Sequence, residues 1–206
     1  MTAARLVLAT KNRHKLEELH RILDAAGLDI ELLGADDFPD LPEIPETESS
    51  FTGNALLKAR EIARVTGLPA VADDSGLCVD ALNGMPGIFS ARWSGRHGDD
   101  AANLALLLGQ LSDVPDERRG AAFHCAAAIA LPDGAERVVE GTIEGTLIRE
   151  PRGTNGFGYD PIFVPHGYDV TTAQMAAERK DAISHRGRAL AALAPIIAEL
   201  LGQSSG

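Results

Sequence analysis

The chain has 206 residues, of which 45% are hydrophobic, so it is long enough to bury a core and too apolar for a disordered protein. Its 19 basic and 30 acidic residues give a net charge of −11, which disfavours binding to nucleic acid through the phosphate backbone. No apolar run approaches the ~20 residues that span a membrane, and the start of the chain lacks the apolar stretch of a signal peptide. We therefore predict a cytoplasmic protein that binds neither nucleic acid nor membrane, with Cys78 and Cys125 as buried free thiols.

In the first part of the chain, the apolar residues alternate between the period of a strand and the period of a helix. The predicted segments are a strand at residues 5–10, a helix at 15–26, a strand at 28–32, an acidic loop at 34–50, a helix at 51–66 and a strand at 70–73. Asp73-Asp74-Ser75-Gly76 is predicted to form a turn, followed by a short strand at residues 77–80. A strand–helix–strand order is typical of an α/β layer fold.

The second part of the chain has the pattern of antiparallel hairpins. The predicted segments are a loop at residues 83–92, a helix at 100–111, strands at 121–131, 137–142, 145–148 and 157–164, and a last helix at 186–201. Pro195 is predicted to kink or break that helix. We predict one domain over residues 1–206 with two lobes, a central mixed β-sheet flanked by helices, and a flexible tail at 202–206.

A candidate phosphate site connects the first strand to the first helix, at Thr10-Lys11-Asn12-Arg13-His14-Lys15. The unpaired N–H groups and positive dipole of a helix N-terminus attract anions, and these side chains add further donors. The alternative is an ordinary helix cap in which Asn12 only bonds the first turn. Lys15 is unfavourable at the positive end of a helix, so its position requires a nearby anion.

A candidate metal site lies at the adjacent carboxylates of Asp73 and Asp74, which follow an apolar strand. Buried carboxylates need a cation or hydrogen bonds, and oxygen ligands favour Mg2+. Glu46, in the acidic loop, is a second source of carboxylate, and Asn54 and Lys58 share a face of the next helix. The alternative is a capped turn, and in a continuing strand the two aspartates would point to opposite faces.

Two later segments carry candidate ligand contacts. Glycines surround two aromatic residues in Gly153–Pro161, so Phe157 or Tyr159 could stack on a base, and a bulged edge strand is the alternative. Lys180, His185 and Arg186 are donors that could read a purine edge or hold phosphate, although a lone histidine is more often structural.

In this order, the motifs resemble the inosine/xanthosine triphosphate pyrophosphatase family of Ham1-like proteins, over residues 6–201. They are Thr10-x-Asn12-x-x-Lys15, Glu46-Thr47, Phe51-x-x-Asn54-Ala55, Asp73-Asp74-Ser75-Gly76-Leu77, Gly84-x-Pro86-Gly87-x-x-Ser90-Ala91-Arg92, Gly156-Phe157-Gly158-Tyr159-Asp160-Pro161 and Ile183-Ser184-His185-Arg186. The resemblance implies an elongated α/β fold, a homodimer, Mg2+, and hydrolysis of deaminated purine nucleoside triphosphates to the monophosphate and pyrophosphate.

The resemblance also implies roles for single residues. It makes Asp74 the catalytic base and a metal ligand together with Glu46, while Asp73 is a candidate supporting ligand. The implied substrate contacts outside the phosphate segment are Ser75, Phe157, Gly158, Tyr159, Asp160, Lys180, His185 and Arg186. Two rival functions remain at this point: a phosphohydrolase that releases orthophosphate, and a nucleotide sensor that binds without hydrolysis.

Overall fold

The computed structural model describes residues 4–10 and 13–202. Lys11 and Asn12 of the predicted phosphate segment, the side chain of His14, and most of the predicted tail lie outside the described residues. No helix within the described part of the chain has the length and apolar character needed to cross a membrane.

The described strands form one mixed sheet of six strands in the order β2-β1-β3-β4-β5-β6. The strands are β1 Ala4–Leu8, β2 Ile30–Gly34, β3 Ala70–Val79, β4 Gly120–Ala130, β5 Glu136–Leu147 and β6 Phe163–Pro165. Strand β1 is parallel to both β2 and β3, with Leu6 opposite Leu32 and Val7 opposite Ala70, whereas β5 and β6 are antiparallel. The predicted α/β class, with a mixed sheet and flanking helices, is confirmed.

The α-helices are α1 Arg13–Ala25, α2 Phe51–Thr66, α3 Asp100–Gln110, α4 Ala177–Ile183 and α5 His185–Leu200. Helix α2 has the predicted bounds because both of its ends are capped locally. The Ser50 side chain accepts a hydrogen bond from the backbone N–H of Gly53, and Gly67 ends the helix in the left-handed conformation. Helix α5 continues through Pro195, so the prediction of a break there is wrong.

Other predicted elements are also corrected by the structure. No turn forms at Asp73–Gly76, because β3 continues through these residues to Val79. The predicted strand at residues 157–164 is a short 3-10 helix over Asp160–Ile162, with extended backbone only from Phe163. Gly156 and Gly158 have positive φ angles and Pro161 has no N–H, so this stretch cannot pair as a regular strand. The two strands predicted at 137–148 are the single strand β5.

The chain divides into two compact units. Unit 1 comprises residues 1–74, 125–141 and 186–206, and unit 2 comprises residues 75–124 and 142–185. The boundary between Asp74 and Ser75 lies within β3, so the acidic pair belongs to unit 1. The prediction of a single domain stays a prediction.

The core of unit 1 lies on both faces of its strands. On one face, Leu6, Leu8 and Val71 pack in a cluster with residues of α1 and α5. On the other face, Val7, Ala70 and Ala72 pack with residues of α2. This alternation follows from the two-residue repeat of a strand, and it determines which helix covers each position of β3.

The core of unit 2 contains Leu77, Leu107, Ile143 and Phe163. Beside it lies Arg119, which is 2% exposed. Its guanidinium donates hydrogen bonds to the backbone carbonyls of Leu147, Leu111 and Ile148 at 2.7, 2.7 and 3.2 Å. The buried cation therefore satisfies three carbonyl groups at the ends of two segments of unit 2, α3 and β5.

We expect Arg119→Met to lower the free energy of unfolding by about 2–4 kcal/mol, because the substitution leaves buried carbonyl oxygens without donors. Urea unfolding followed by circular dichroism measures the change. The neighbouring Arg118 is exposed, so Arg118→Met is the matched control, with an expected change within about 0.5 kcal/mol. Equal effects of the two substitutions would contradict the assigned role of Arg119.

Candidate active site

The two adjacent aspartates of β3 face opposite sides of the sheet. Asp73 continues the face of Val71, which α1 and α5 cover, and Asp74 continues the face of Ala70 and Ala72, which α2 covers. Both are buried, at 8% and 7% exposed. The strand therefore presents one carboxylate to each side, as the sequence-based alternative of a continuing strand implied.

The Asp74 carboxylate is surrounded by polar side chains of α2 and the acidic loop. Asn54 donates to its Oδ2 from Nδ2 at 3.1 Å, and the Nζ of Lys58 donates to its Oδ1 at 3.1 Å. The same Nζ donates to Oε1 of Glu46 at 3.2 Å. The structure thus brings together Glu46 and Asp74, two of the three residues predicted as metal ligands, at one ammonium group, whereas Asp73 lies on the opposite face.

Lys58 is a functional candidate that the sequence-based assignment of roles did not include. The four-residue spacing from Asn54 put both side chains on one face of the helix, but it did not show what that face meets. In the structure this face lies on Asp74, so both side chains reach its carboxylate.

Asn54 also holds the acidic loop against α2. It is fully buried, and its Oδ1 accepts a hydrogen bond from the backbone N–H of Glu48 at 3.0 Å. The loop approaches the helix so closely that a Cβ atom on Gly53 would lie 2.7 Å from Cβ of Glu48. The glycine is therefore needed for the close approach that places Glu46, two residues earlier, beside Lys58.

The electrostatics of this cluster favour the binding of a further cation. Burial, together with the charge of Glu46, raises the pKa of Asp74 to about 6, although Lys58 and Asn54 act in the opposite direction. Burial lowers the pKa of Lys58, but the charges of Asp74, Glu46 and Asp73 outweigh this effect, so its pKa is raised. The charge of Glu46 is one cause of the raised pKa of Asp74, so a cation bound beside both carboxylates would relieve their repulsion.

The donors in the cluster fit Mg2+ and fit a transition metal poorly. Both acidic ligands are carboxylates, which suit a hard cation. Within the ranges that the structure describes, no group of three or more His, Cys, Asp or Glu side chains is arranged to hold a metal ion. A cation here would therefore take its other ligands from water or phosphate, as Mg2+ commonly does.

On the opposite face, Asp73 lies among basic side chains. The Nζ of Lys15 donates to its Oδ2 at 2.7 Å, and Nη2 of Arg186 donates to its Oδ1 at 3.3 Å. Arg186 also forms an ion pair with Glu18 of α1. The structure therefore joins Lys15 of the predicted phosphate segment with Arg186 of the last predicted segment, and it gives Asp73 cations as partners.

Three other predicted contacts occupy different surroundings. Arg13 is exposed at the start of α1. The backbone of Thr10 accepts a hydrogen bond from the N–H of Ala35. The hydroxyl of Ser75, at the start of unit 2, is buried and has no hydrogen-bond partner within the described part of the chain. A buried hydroxyl without a partner is costly, which supports a ligand contact at Ser75.

Within unit 2, Asp160 organises the glycine-rich segment. Its Oδ2 accepts from the backbone N–H of Phe157 at 2.9 Å and from Nζ of Lys180 at 2.5 Å, and its Oδ1 accepts from the Thr172 hydroxyl at 2.8 Å. Gly156 allows this arrangement, because a Cβ there would collide with Oδ2 of Asp160. Asp160 is thus satisfied by the protein itself.

The two aromatic residues of this segment differ in exposure. Phe157 is 67% exposed, and the Nζ of Lys180 lies 5.2 Å from its ring centroid. Tyr159 is 4% exposed, and its hydroxyl donates to the Ser90 carbonyl at 2.9 Å. Of the two rings, only that of Phe157 is largely exposed, so Phe157 is the residue that could stack on a base.

Two other predicted contacts are held within unit 2. His185 stacks on Phe123, with ring centroids 4.9 Å apart, and the backbone N–H of Gly158 donates to Asp100 at 2.9 Å.

A sequence model described as the Ham1 family matches residues 6–196. The chain is 64% identical to a protein named dITP/XTP pyrophosphatase from Streptomyces avermitilis, over 96% of this chain and 99% of that protein. It is 61% identical to a protein of the same name from Nocardia farcinica, over 97% and 98% of the two chains.

Two solved structures are similar in fold. A Ham1 protein from Coxiella burnetii is 43% identical and superposes with a TM-score of 0.88, over 95% of this chain and 99% of that one. A protein described as a nucleoside-triphosphatase and dITP/XTP pyrophosphatase, from Mycobacterium abscessus, is 60% identical with a TM-score of 0.79, over 94% and 99% of the chains.

In EDTA, we expect the stability of Asp74→Asn relative to the wild type to rise as the pH rises from 4 to 7. The folded-state pKa of Asp74 is raised to about 6 from its ordinary value of 3.8, so its contribution to stability is complete below about pH 4 and is lost through pH 6. Urea unfolding at each pH measures the free energy of unfolding. The difference between the variant and the wild type should change by roughly 2–3 kcal/mol in favour of the variant from pH 4 to pH 7.

Asp113→Asn, at an exposed position, is the control for this pH series. Added Mg2+ should reduce the difference between wild type and Asp74→Asn, because the cation stabilises the ionised carboxylate. A difference that stays constant from pH 4 to 7, or that narrows, would show that the cluster does not disfavour the charge on Asp74.

Proposed function

Because this chain belongs to the Ham1 family, we propose that it hydrolyses deaminated purine nucleoside triphosphates, namely ITP, dITP and XTP, to the nucleoside monophosphate and pyrophosphate. Such a reaction clears these nucleotides from the nucleotide pool. The observation that carries the proposal is the cluster of Asp74, Glu46 and Lys58, in which the Lys58 ammonium contacts both carboxylates. A protein that only bound a nucleotide would have no need of this cluster of acids.

Glu46 and Asp74 are the residues proposed to hold Mg2+. Their oxygens suit the cation, and a cation beside them would relieve the repulsion between the two carboxylates. When bound, Mg2+ would neutralise phosphate charge and make pyrophosphate a better leaving group. The ammonium of Lys58 contacts both carboxylates, so it must be displaced or share them when the cation binds.

Asp74 is the proposed catalytic residue. The hydrogen bond from Asn54 fixes its carboxylate in place, where it can orient the attacking water and accept a proton from it. The water oxygen forms the new bond to the α-phosphorus, and the bond between that phosphorus and the bridging oxygen breaks, releasing pyrophosphate. The chain thus supplies the orientation of the base and charge for the transition state.

The remaining contacts are proposed from the family resemblance. In unit 1, Lys15 and the adjoining residues 10–14 would bind phosphate, since the Lys15 side chain is 28% exposed. In unit 2, the Phe157 ring would stack on the purine ring, and Lys180 lies against the Phe157 ring. Ser75 would complete its hydrogen bonding on the ligand.

We also propose that the protein is a homodimer in the cytoplasm, which the family resemblance implies. The expected mass in solution is twice the 21.7 kDa of the chain. Light scattering coupled to size-exclusion chromatography measures this mass, and a monomer at micromolar concentration would contradict the proposal.

The central experiment is incubation with ITP, dITP, XTP and GTP, with and without Mg2+, followed by identification of the products. We expect inosine monophosphate and pyrophosphate in a one-to-one ratio, only with Mg2+. Asp74→Asn should lower kcat by about 100-fold or more with a much smaller change in KM, since general base catalysis contributes on that scale. Release of orthophosphate and inosine diphosphate would favour the rival phosphohydrolase, and binding without turnover would favour the sensor.

Lys58→Met tests the competition between the ammonium and the metal. Because the ammonium contacts both carboxylates, its removal should tighten the binding of Mg2+ alone by about tenfold, measured by calorimetry without nucleotide. Arg60→Met, on the same helix, is the matched control, since Arg60 pairs with Glu136 and makes no contact with either carboxylate. Unchanged or weaker binding of Mg2+ by Lys58→Met would place the cation elsewhere.

A further inference from the structure

Asp73 has surroundings unlike those of its neighbour in the chain. Its side chain is 3% exposed, and two cations from two different helices lie against it. Lys15 of α1 contacts Oδ2 at 2.7 Å, and Arg186 of α5 contacts Oδ1 at 3.3 Å. The Nε of Arg186 also lies 3.3 Å from Oδ2, without the alignment of a hydrogen bond.

The charges around Asp73 are balanced within the protein. Arg186 pairs with both Asp73 and Glu18, so two carboxylates meet two cations when Lys15 is included. A metal ion at Asp73 would have to displace Lys15 or the buried Arg186, and displacing Arg186 would leave a buried cation with one carboxylate fewer, which is costly. In the Asp74 cluster, by contrast, the charge of Glu46 disfavours the charge on Asp74.

Lys15 is the one member of this group that is well exposed. Its side chain is 28% exposed, compared with 8% for Arg186 and 13% for Glu18. Asp73 is the only hydrogen-bond acceptor of its Nζ within the part of the chain that the structure describes. An ammonium carries three donors, so two of them remain for a ligand.

The position of Lys15 in α1 explains why it needs Asp73. Lys15 lies in the first turn of the helix, where the dipole repels a cation, and that turn contains no acidic residue. A free lysine side chain also has many rotamers, and fixing it costs conformational entropy. The buried carboxylate of Asp73 supplies the missing anion and selects one place for the ammonium.

We propose that Asp73 is a positioning residue that acts through Lys15, holding its ammonium ready for the phosphate chain, and that Asp73 does not bind the metal. This role replaces the supporting metal ligand predicted from the sequence, and it rests on the proposed function of Lys15 in phosphate binding. The consecutive aspartates then have separate tasks, with Asp74 acting on the reaction and Asp73 acting on affinity.

The test compares Asp73→Asn, Lys15→Met and the double variant in turnover of ITP and in calorimetric binding of inorganic tripolyphosphate without Mg2+. We expect Asp73→Asn to raise KM and the Kd of tripolyphosphate about tenfold, the effect of losing one charge-assisted contact, while kcat changes less than about threefold. The concentration of Mg2+ giving half-maximal activity should not change. The double variant should resemble Lys15→Met alone, because Asp73 acts through Lys15.

Three results would overturn the proposal. A fall in kcat with a shifted Mg2+ requirement would make Asp73 a metal ligand. Additive effects of Asp73→Asn and Lys15→Met would show that the two residues act separately. Glu18→Gln removes the other carboxylate at Arg186 without touching Lys15, so a rise in KM equal to that of Asp73→Asn would assign the effect to Arg186.

A second variant keeps the test open if Asp73→Asn does not fold, as thermal unfolding would show. Lys15→Arg retains the charge but changes the geometry at Asp73, so it should raise KM with kcat unchanged, and an unchanged KM would contradict the proposal. Binding of tripolyphosphate requires no turnover. If the wild-type protein binds tripolyphosphate in a way that depends on Lys15 and Asp73 but releases no pyrophosphate from ITP, the proposed function is refuted and the positioning role of Asp73 is not.

Discussion

The two-residue repeat of strand β3 is the constraint on which the site depends. Because β3 continues through Asp73 and Asp74, adjacent carboxylates lie on opposite faces of the sheet, and each meets a different helix layer. A turn at this point would have brought both carboxylates to one place and made them electrostatically equivalent. The regular strand separates them, so their environments, and therefore their chemistry, can differ.

Each face compensates its buried carboxylate in a different way. Asp73 has two cations and is fully paired, which is the usual condition for a buried charge. Asp74 shares one ammonium with Glu46, and burial raises its pKa to about 6. An unfavourable buried charge persists only where the surrounding structure holds the group in place. Here Asn54 does so, because its amide binds both the Asp74 carboxylate and the acidic loop.

Local signals in the sequence predicted well what local interactions decide. The bounds of α2 follow from Ser50 and Gly67, which cap it, and the α/β class follows from the alternation of strand and helix periods. The sequence-based predictions of local structure were wrong where the backbone conformation depends on contacts between residues far apart in the chain. By residue propensity, adjacent aspartates favour a turn. In the structure, both carboxylates accept hydrogen bonds from residues 16 to 113 positions away, so the strand continues through them. At Asp160–Ile162, conversely, apolar residues suggested a strand, whereas glycines and a proline prevented pairing.

The candidate site shows the same limit in its chemistry. The sequence indicated that Lys15 required an anion, and either a bound phosphate or a carboxylate of the chain would have met that requirement. The structure supplies Asp73, yet it leaves the ammonium of Lys15 partly exposed with donors to spare. The two explanations are therefore complementary. A lysine side chain that a buried carboxylate already holds in place loses less conformational entropy when it binds phosphate. The ion pair with Asp73 therefore preorganises Lys15 for the contact with phosphate.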